Sequence, residues 1–208
     1  ASVDNSDRKT GQDHRSVTEI VNEVTGRRRL RRNRRFDWTR RMVRESVFSA
    51  NDLILPIFIM EGENVREDVG AMPGVTRQSV DLAVELCREA VALGIPAVAP
   101  FPNVSLSERD WTGNEIANRD NLICQFVRAV KEAVPDIGVI TDAALDPFTD
   151  HGHDGVLRDG VIVNDESVAM IVEGALAQAE AGADIIAPSD MMDGRIGASR
   201  MALDEAGF

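Results

Sequence analysis

Apolar runs that alternate with helix-like segments constrain the fold of this chain more than any other feature. The runs begin near residues 53, 97, 137 and 184, so the repeat is 40–47 residues long. Between the first two runs, Leu82, Leu86 and Leu93 recur at the spacing of one helix face. Strands that alternate with helices predict an α/β fold with a parallel sheet. No glycine-rich phosphate-binding motif follows any of the runs, which disfavours the nucleotide-binding three-layer folds.

The number of repeats predicts only part of a barrel. A (β/α)8 TIM barrel needs eight βα units and typically about 250 residues, whereas this chain has four units in 208 residues. Half a barrel would leave two sheet edges without a partner strand. We therefore expect residues 52–208 to be the first half of a (β/α)8 barrel, in a protein that continues beyond Phe208. The alternative is a complete four-stranded open α/β domain.

The charge is distributed unevenly along the chain. Residues 1–44 carry thirteen Lys and Arg against six Asp and Glu, a balance of +7. Because the net charge of the whole chain is −12, residues 45–208 carry −19. Residues 1–26 are polar with little apolar periodicity, and we expect them to form an extended or mobile leader. Residues 27–51 follow as a basic N-terminal arm.

The arm contains ten arginines within the 18 residues from Arg27 to Arg44. Such a run can neutralise nucleic-acid phosphates. The acidic remainder of a neighbouring copy is an equally suitable partner, and Leu30, Phe36 and Trp38 add apolar anchors. We expect a subunit interface rather than nucleic-acid binding, and a merely solvated segment is the third interpretation.

Hydropathy and cysteine content indicate the compartment. No apolar run approaches the roughly 20 residues that a membrane span needs, and the N-terminal residues lack the apolar stretch of a secretory signal. Cys87 and Cys124 lie among apolar neighbours without a CxxC partner. They are typical of buried thiols in a reducing compartment. These features predict a cytoplasmic protein without a membrane partner.

Two polar clusters follow the third and fourth apolar runs. The segment TDAALDPFTDHGHDG (141–155) contains four aspartates besides two histidines and comes directly after Ile137–Ile140, and the second cluster is Ser189–Asp193. Carboxylates and imidazoles together can bind a cation, hold a polar substrate or move protons. In a barrel, both clusters would lie at the carboxyl edge of the sheet, where active sites form.

A structural interpretation stands beside each functional one. Asp142 could simply cap a turn at the strand end, and Asp146 precedes a proline, a pair that favours turns. Ser189 could be a capping hydroxyl. His151 and His153, two residues apart without a third soft ligand, are expected to make structural hydrogen bonds.

Several motifs identify a family resemblance. They are RRLRRNRR (28–35), ILPIFI (54–59), MPGV (72–75), TDAALDPFTDHGHDG (141–155) and APSDMMDGRIGASRMALDEAGF (187–208). Over about residues 27–208, the chain resembles the porphobilinogen synthase (5-aminolevulinate dehydratase) family. The resemblance implies a (β/α)8 barrel with an N-terminal arm that wraps a neighbouring subunit, usually in an octamer. It also implies condensation of two 5-aminolevulinate molecules to porphobilinogen with loss of two waters, in tetrapyrrole biosynthesis.

The family's mechanism uses two lysines that form Schiff bases with the substrate ketones. Both lie downstream of the matched region, and Lys9 and Lys131, the only lysines here, match neither. The resemblance therefore implies a lyase when the protein is full length. The alternative is a lysine-free, non-catalytic homologue that acts in binding or assembly.

The resemblance also assigns site residues. It implies catalytic roles for Asp142 and Ser189, and contacts with substrate for Asp146, Asp154 and Asp190. Zinc-dependent members carry three cysteines where this chain has Ala144, Asp146 and Asp154. Because carboxylates favour harder cations than thiolates do, we expect no zinc and no metal ligand among these residues. An Mg²⁺ allosteric activator or a monovalent cation is expected instead, without an organic cofactor.

Overall fold

The computed structural model describes residues 15–208. The chain divides into two compact units, Ala1–Val47 and Phe48–Phe208. The second unit therefore begins four residues before the predicted start of the barrel half at residue 52. Lys9 and the first fourteen residues of the predicted leader lie outside the described residues.

The described part of the first unit contains a helix within residues 1–26, where the sequence predicted an extended or mobile leader. Helix α1 spans Val17–Thr25. Ser16 Oγ accepts a hydrogen bond from Glu19 N (3.2 Å), and the Glu19 carboxylate accepts one from Ser16 N (2.8 Å). Gly26 ends the helix in the left-handed conformation with φ 57°. This reciprocal cap and the terminal glycine are local helix signals, so the prediction of an extended segment is wrong for these residues. The basic arm continues with two short helices, α2 (Arg32–Arg35) and α3 (Asp37–Met42).

The second unit contains the predicted alternation of strands and helices. Its strands are β1 (Ile54–Met60), β2 (Arg66–Asp68), β3 (Thr76–Ser79), β4 (Ala97–Asn103), β5 (Gly138–Asp142), β6 (Leu157–Arg158), β7 (Val161–Ile162) and β8 (Ile185–Ala187). Its α-helices are α4 (Val80–Ala92), α5 (Leu122–Ala133), α6 (Asn164–Ala181) and α7 (Arg195–Ala206). Short 3-10 helices span Ala50–Asp52, Leu106–Glu108 and Asn114–Ala117.

The main sheet has the strand order β2-β3-β1-β4-β5-β8. Strands β1, β4, β5 and β8 are neighbours in chain order and pair in parallel. A doubly wound sheet would reverse its strand order at a switch point, whereas a barrel adds each strand beside the previous one. The predicted parallel α/β class is therefore confirmed, and the order is that of a barrel.

The sequence patterns missed two strands at the edge next to β1. Strand β3 pairs in parallel with Phe58–Met60, and β2 pairs with β3 in the antiparallel sense. Both are short and polar, so apolar periodicity could not reveal them. Because β3 reaches only Phe58–Met60, Pro56 is paired with Ala99 of β4 alone. This placement explains why a proline, which cannot donate to a ladder, is tolerated there.

One face of the sheet holds the core of this unit. Ile57, Ile59, Val98 and Val139 are buried on the face that helices α4, α5 and α6 cover. The other face carries Phe58 and Phe101, whose ring centroids lie 5.9 Å apart. On that face, Ile54 and Ile185 are each 54% exposed. The described residues therefore cover only one face of β1.

Residues with positive φ form two turns of the second unit. Strands β6 and β7 form a hairpin, in which Asp159 and Gly160 adopt φ values of 51° and 79°. Helix α6 ends at Gly182, which has φ 105°. Among residues 15–208, no helix is long and apolar enough to cross a membrane.

Candidate active site

The two residues predicted to be catalytic lie in direct contact. Asp142 is the last residue of β5 and pairs in register with Ala187, the last residue of β8. Ser189 follows two positions later, and its Oγ donates a hydrogen bond to Asp142 Oδ1 at 2.7 Å. By strand alternation, Asp142 lies on the open face of the sheet, opposite the helix-covered core. The carboxyl edge thus brings together residues that are 47 positions apart.

The environment of Asp142 favours its protonated form. Partial burial raises the pKa of Asp142, and the hydrogen bond from Ser189 lowers it in part. The nearby carboxylates of Asp146 and Asp190 raise it further, so the pKa of Asp142 lies above its usual range. A carboxyl group with a raised pKa can both accept and return a proton nearer to neutral pH.

The segment after β5, residues 143–155, is termed here the aspartate loop. Its apolar side is anchored by Leu145 and Phe148, which are both fully buried. Asp154 Oδ1 accepts a hydrogen bond from Leu145 N at 2.7 Å. Partial burial raises the pKa of Asp154 more than this hydrogen bond lowers it, and the neighbouring aspartates add to the rise.

Asp146 is an exposed residue of the aspartate loop. Although its side chain reaches solvent, the packed loop still removes enough water to raise the pKa of Asp146, and Arg109 nearby lowers it in part. The charge of Asp146 raises the pKa of both Asp142 and Asp154, and the charge of Asp142 raises that of Asp154. The structure therefore brings these three predicted residues together as one anionic patch.

Asp190 has a different environment from the one predicted. It is 2% exposed, and its Oδ2 accepts a hydrogen bond from Met192 N at 2.8 Å. Arg195 Nε lies 2.7 Å from Asp190 Oδ1, an ion-pair distance, although the N–H is not aligned for a hydrogen bond. These contacts show that Asp190 helps to hold the 190–195 turn, and its contact with substrate stays a prediction.

Sequence reasoning missed two residues that support the site. Gln178 on α6 is fully buried, and its Nε2 donates to the backbone oxygen of Asp142 at 3.1 Å. A polar residue on the apolar stripe with Ile171 and Ala175 was the signal that could have revealed it. Arg195, the partner of Asp190, has no comparable sequence signal because its role depends on the turn.

Comparison with known proteins identifies the family. A family model described as delta-aminolevulinic acid dehydratase matches residues 27–208. The delta-aminolevulinic acid dehydratase of Bradyrhizobium diazoefficiens is 58% identical over 180 residues, which cover 86% of this chain and 51% of that protein. The chain belongs to the delta-aminolevulinic acid dehydratase family. The resemblance stated from the motifs is thereby confirmed.

Other members of the delta-aminolevulinic acid dehydratase family give the same result. The protein of Chlamydia pneumoniae is 42% identical over 188 residues, covering 90% of this chain and 57% of that protein. The solved delta-aminolevulinic acid dehydratase (porphobilinogen synthase) of Toxoplasma gondii, in complex with the reaction product porphobilinogen, superimposes with a TM-score of 0.83. It is 39% identical, and the match covers 86% of this chain and 51% of that one. The chain spans about half the length of these relatives, and the match confirms the predicted (β/α)8 barrel class.

Lys131, the lysine that lies within residues 15–208, is remote from the aspartate loop. Lys131, near the end of α5, donates from Nζ to both carboxylate oxygens of Asp184, at 2.9 and 3.0 Å. Asp184 directly precedes β8, whereas Ser189 follows it. Lys131 therefore lies at the opposite edge of the sheet from Asp142, as expected for a lysine without a catalytic role.

The aspartates do not form a metal site by themselves. Within the described range, 15–208, no three His, Cys, Asp or Glu side chains are arranged to hold a metal ion. Ala144, at a position where zinc-dependent members carry a cysteine, is buried and supplies no ligand atom. The residues present therefore do not fit a resident zinc ion, and no chemical step is assigned to a metal here.

Removing the charge of Asp154 is expected to stabilise the fold at neutral pH. A carboxyl group whose pKa is raised in the folded state binds protons more tightly there, so stability falls as the pH rises through that folded pKa. Asp154→Asn keeps the oxygen that accepts from Leu145 N. We expect a thermal midpoint roughly 2–4 °C higher at pH 7, corresponding to about 1 kcal/mol. The difference should vanish below the ordinary aspartate pKa of about 3.9.

Calorimetry of both proteins at pH 7 and at low pH measures this effect. Asp136→Asn, at an exposed position after α5, is the matched control and should change little. An Asp154→Asn protein that is less stable than the parent at pH 7 would contradict the electrostatic explanation.

Proposed function

We propose that this chain supplies half of the barrel of an enzyme that condenses two 5-aminolevulinate molecules into porphobilinogen with loss of two waters. The reaction belongs to tetrapyrrole biosynthesis. The observation that carries the proposal is the Ser189–Asp142 hydrogen bond of 2.7 Å at the carboxyl edge of the sheet, in a chain whose family is delta-aminolevulinic acid dehydratase. The Toxoplasma gondii relative binds porphobilinogen as its reaction product, which supports the same chemistry for this chain.

The proposed chemistry divides between this chain and lysines outside its sequence. Two lysine amines would each form an imine with a substrate ketone, and the formation of each imine releases one water. Loss of that water requires an acid, and later steps require a base. Asp142, with its raised pKa, would donate and take back these protons, while Ser189 would fix the orientation of the carboxyl group.

The anionic patch would receive the positive end of the substrate. 5-Aminolevulinate carries an ammonium group at neutral pH, and Asp146 and Asp154 offer carboxylate oxygens for it. Burial and mutual repulsion make the charged form of Asp154 costly, and a bound ammonium group would relieve that cost. Favourable binding of the amine is therefore coupled to the ionisation of the patch.

The test joins this chain to the part of the Bradyrhizobium diazoefficiens relative that lies outside the match. This joined protein is incubated with 5-aminolevulinate and borohydride, which reduces a lysine imine to a stable adduct. Intact mass spectrometry should show an adduct, and without borohydride the joined protein should release porphobilinogen. The chain alone, whose two lysines match neither Schiff-base position, should show no adduct.

The relative itself, treated identically, is the positive control. Circular dichroism and native mass establish that the joined protein is folded. A folded joined protein that neither traps an adduct nor forms porphobilinogen would sink the proposal. The chain would then be better described as a non-catalytic homologue that acts in binding or assembly.

We also propose that the enzyme is zinc-independent and is activated by Mg²⁺ or a monovalent cation. The support is the replacement of thiolate ligands by Ala144, Asp146 and Asp154, because carboxylates prefer harder cations. A zinc-selective chelator is expected to leave the turnover of the joined protein unchanged, within about twofold, while Mg²⁺ and K⁺ are added back separately. Complete loss of turnover that only zinc restores would overturn this part.

The basic arm is proposed to bind a neighbouring copy, as in an octamer. Leu30 is 88% exposed, and the rings of Phe36 and Trp38 stack with centroids 6.4 Å apart. These apolar groups, set among arginines, suit the acidic surface of a second copy more than open water. Native mass of the protein with and without residues 15–47 tests the arm's role.

A cytoplasmic location completes the proposal. Cys87 and Cys124 are free and buried. Burial raises the pKa of the Cys87 thiol to about 12 and that of Cys124 to about 11. Unreactive, unpaired thiols are typical of proteins from reducing compartments. Imaging of a fluorescent fusion measures the location directly.

A further inference from the structure

A tight turn before the Asn114–Ala117 helix is organised by one carboxylate. Asp110 Oδ1 accepts hydrogen bonds from Thr112 N, Thr112 Oγ1 and Gly113 N, each at 2.7 Å, and from Asn114 N at 3.3 Å. Its Oδ2 accepts a fifth from Asn114 Nδ2 at 2.9 Å. Residues 110–114 are termed here the clasp segment. A single side chain thus determines the backbone course of the whole segment.

The clasp segment pairs with the aspartate loop through its backbone. Asp110 forms a parallel bridge with Thr149. Its N donates to Phe148 O at 3.2 Å, and its backbone O accepts from Asp150 N at 3.0 Å. Thr149 is also bonded within the aspartate loop, because its Oγ1 donates to His153 O at 2.8 Å. The clasp segment therefore contacts the stretch between Asp146 and Asp154 through main-chain hydrogen bonds.

His151 adds a side-chain contact to the bridge. His151 Nδ1 accepts a hydrogen bond from His153 N at 3.1 Å, so that nitrogen carries no proton. The proton lies on Nε2, which donates to Trp111 O at 3.2 Å. His151 thus links the clasp segment to the backbone of His153.

The clasp segment also packs closely against the aspartate loop at Gly113. A Cβ added to Gly113 would lie 3.2 Å from Leu145 Cδ2 and 3.4 Å from Thr149 Cγ2. The clasp segment therefore approaches the buried floor of the aspartate loop closely. Leu145 is also the residue whose N–H donates to Asp154.

We propose that Asp110 is a positioning residue, which holds the aspartate loop, and with it Asp146 and Asp154, in the conformation that receives substrate. This inference depends on the proposed function for its catalytic meaning. Asp110 itself contacts neither the reacting atoms nor the anionic patch. It acts through the clasp segment, whose backbone supports the loop from outside.

The pKa values of Asp110 and Asp154 are shifted in opposite directions. Burial alone would raise the pKa of Asp110, but the hydrogen bonds from Thr112 and Asn114 outweigh it and lower that pKa. Asp154, by contrast, has a raised pKa because the loop shields it from water. Asp110 therefore stays ionised and keeps its five hydrogen bonds over the pH range in which Asp154 takes up a proton.

The test is a titration of the aspartate ¹³Cγ signals by NMR in the whole chain. Asp110→Ala is expected to loosen the loop, admit water and shift the pKa of Asp154 towards the ordinary value of about 3.9. Asp110→Asn, which retains an acceptor oxygen, should restore most of the parental titration. Asp81→Ala is the matched control, because Asp81 also accepts a backbone N–H from a distant loop, Asn64 N at 2.9 Å.

Each outcome decides the proposal. If Asp110→Ala melts earlier while Asp154 titrates as in the parent, Asp110 is only a local cap and the proposal is wrong. If Asp110→Ala does not fold, Thr112→Val replaces it, since this variant removes the hydroxyl that donates to Asp110 Oδ1 and preserves the shape of the side chain. An unchanged Asp154 in that variant also overturns the proposal. The titration needs no turnover, so failure to trap an imine would remove the proposed reaction without affecting this result.

Discussion

Replacing Asp142 by asparagine in the joined protein is expected to lower kcat by a factor of about 10²–10⁴, the usual contribution of a positioned acid–base group. Asparagine preserves the shape and can still accept from Ser189 Oγ, whose hydrogen bond to Asp142 is 2.7 Å long. It cannot carry the proton that the imine chemistry needs. The stability of the folded protein should rise slightly, because asparagine has no charge whose burial costs free energy. That cost is what raises the pKa of Asp142.

Opposite changes in activity and stability distinguish a chemical role from a structural one. Steady-state porphobilinogen formation gives kcat and KM, and calorimetry gives the thermal midpoint. Ser189→Ala should have a smaller effect than Asp142→Asn, because it removes only an orienting hydrogen bond. Asp136→Asn is the control for loss of one negative charge. An Asp142→Asn enzyme with kcat within about threefold of the parent would exclude Asp142 as the acid–base group.

Replacing Gly155 by alanine is expected to cost about 2–5 kcal/mol of folding free energy, the combined range of backbone strain and overpacking. Gly155 has φ 151°, where a side chain is strained, and an added Cβ would lie 2.5 Å from Ile162 Cγ2. It would also lie 3.0 Å from Met192 Cε and 3.2 Å from Ser167 Oγ. The position therefore has neither the conformational freedom nor the space for a methyl group.

Gly152 provides the matched control within the same loop. It also has a positive φ, 72°, but no atom lies within 4 Å of an added Cβ. Gly152→Ala is expected to lower the free energy of unfolding by about 1–2 kcal/mol, the cost of placing alanine in the left-handed conformation. Thermal unfolding of both variants, followed by circular dichroism, separates packing from backbone strain. Equal midpoints for the two would show that the contact with Ile162 is relieved at little cost.

Apolar periodicity and turn residues were sufficient to predict most of the helices and strands of the second unit. The helices and the four parallel strands follow from apolar spacing and from terminal signals such as Gly182, because burial of one continuous face imposes that spacing. Strands β2 and β3 were not predicted, because their pairing depends on backbone hydrogen bonds to Phe58–Met60. Helix α1 was missed although its cap at Ser16 and Glu19 is local, so there the signal was present and overlooked.

The sequence identified individual site residues, whereas their contacts were visible only in the structure. The sequence motifs by themselves identified the family. The concentration of aspartates after the predicted strands pointed to this edge of the sheet, and the resemblance then assigned roles to Asp142, Ser189, Asp146, Asp154 and Asp190. Only the tertiary structure revealed that Ser189 donates to Asp142 and that Asp190 is buried beside Arg195. The physical reason is that strand ends are set by local patterns, whereas hydrogen-bond partners depend on how the strands align in the sheet. The support of the aspartate loop by Asp110 likewise follows from contacts across nearly forty residues, which no local pattern contains.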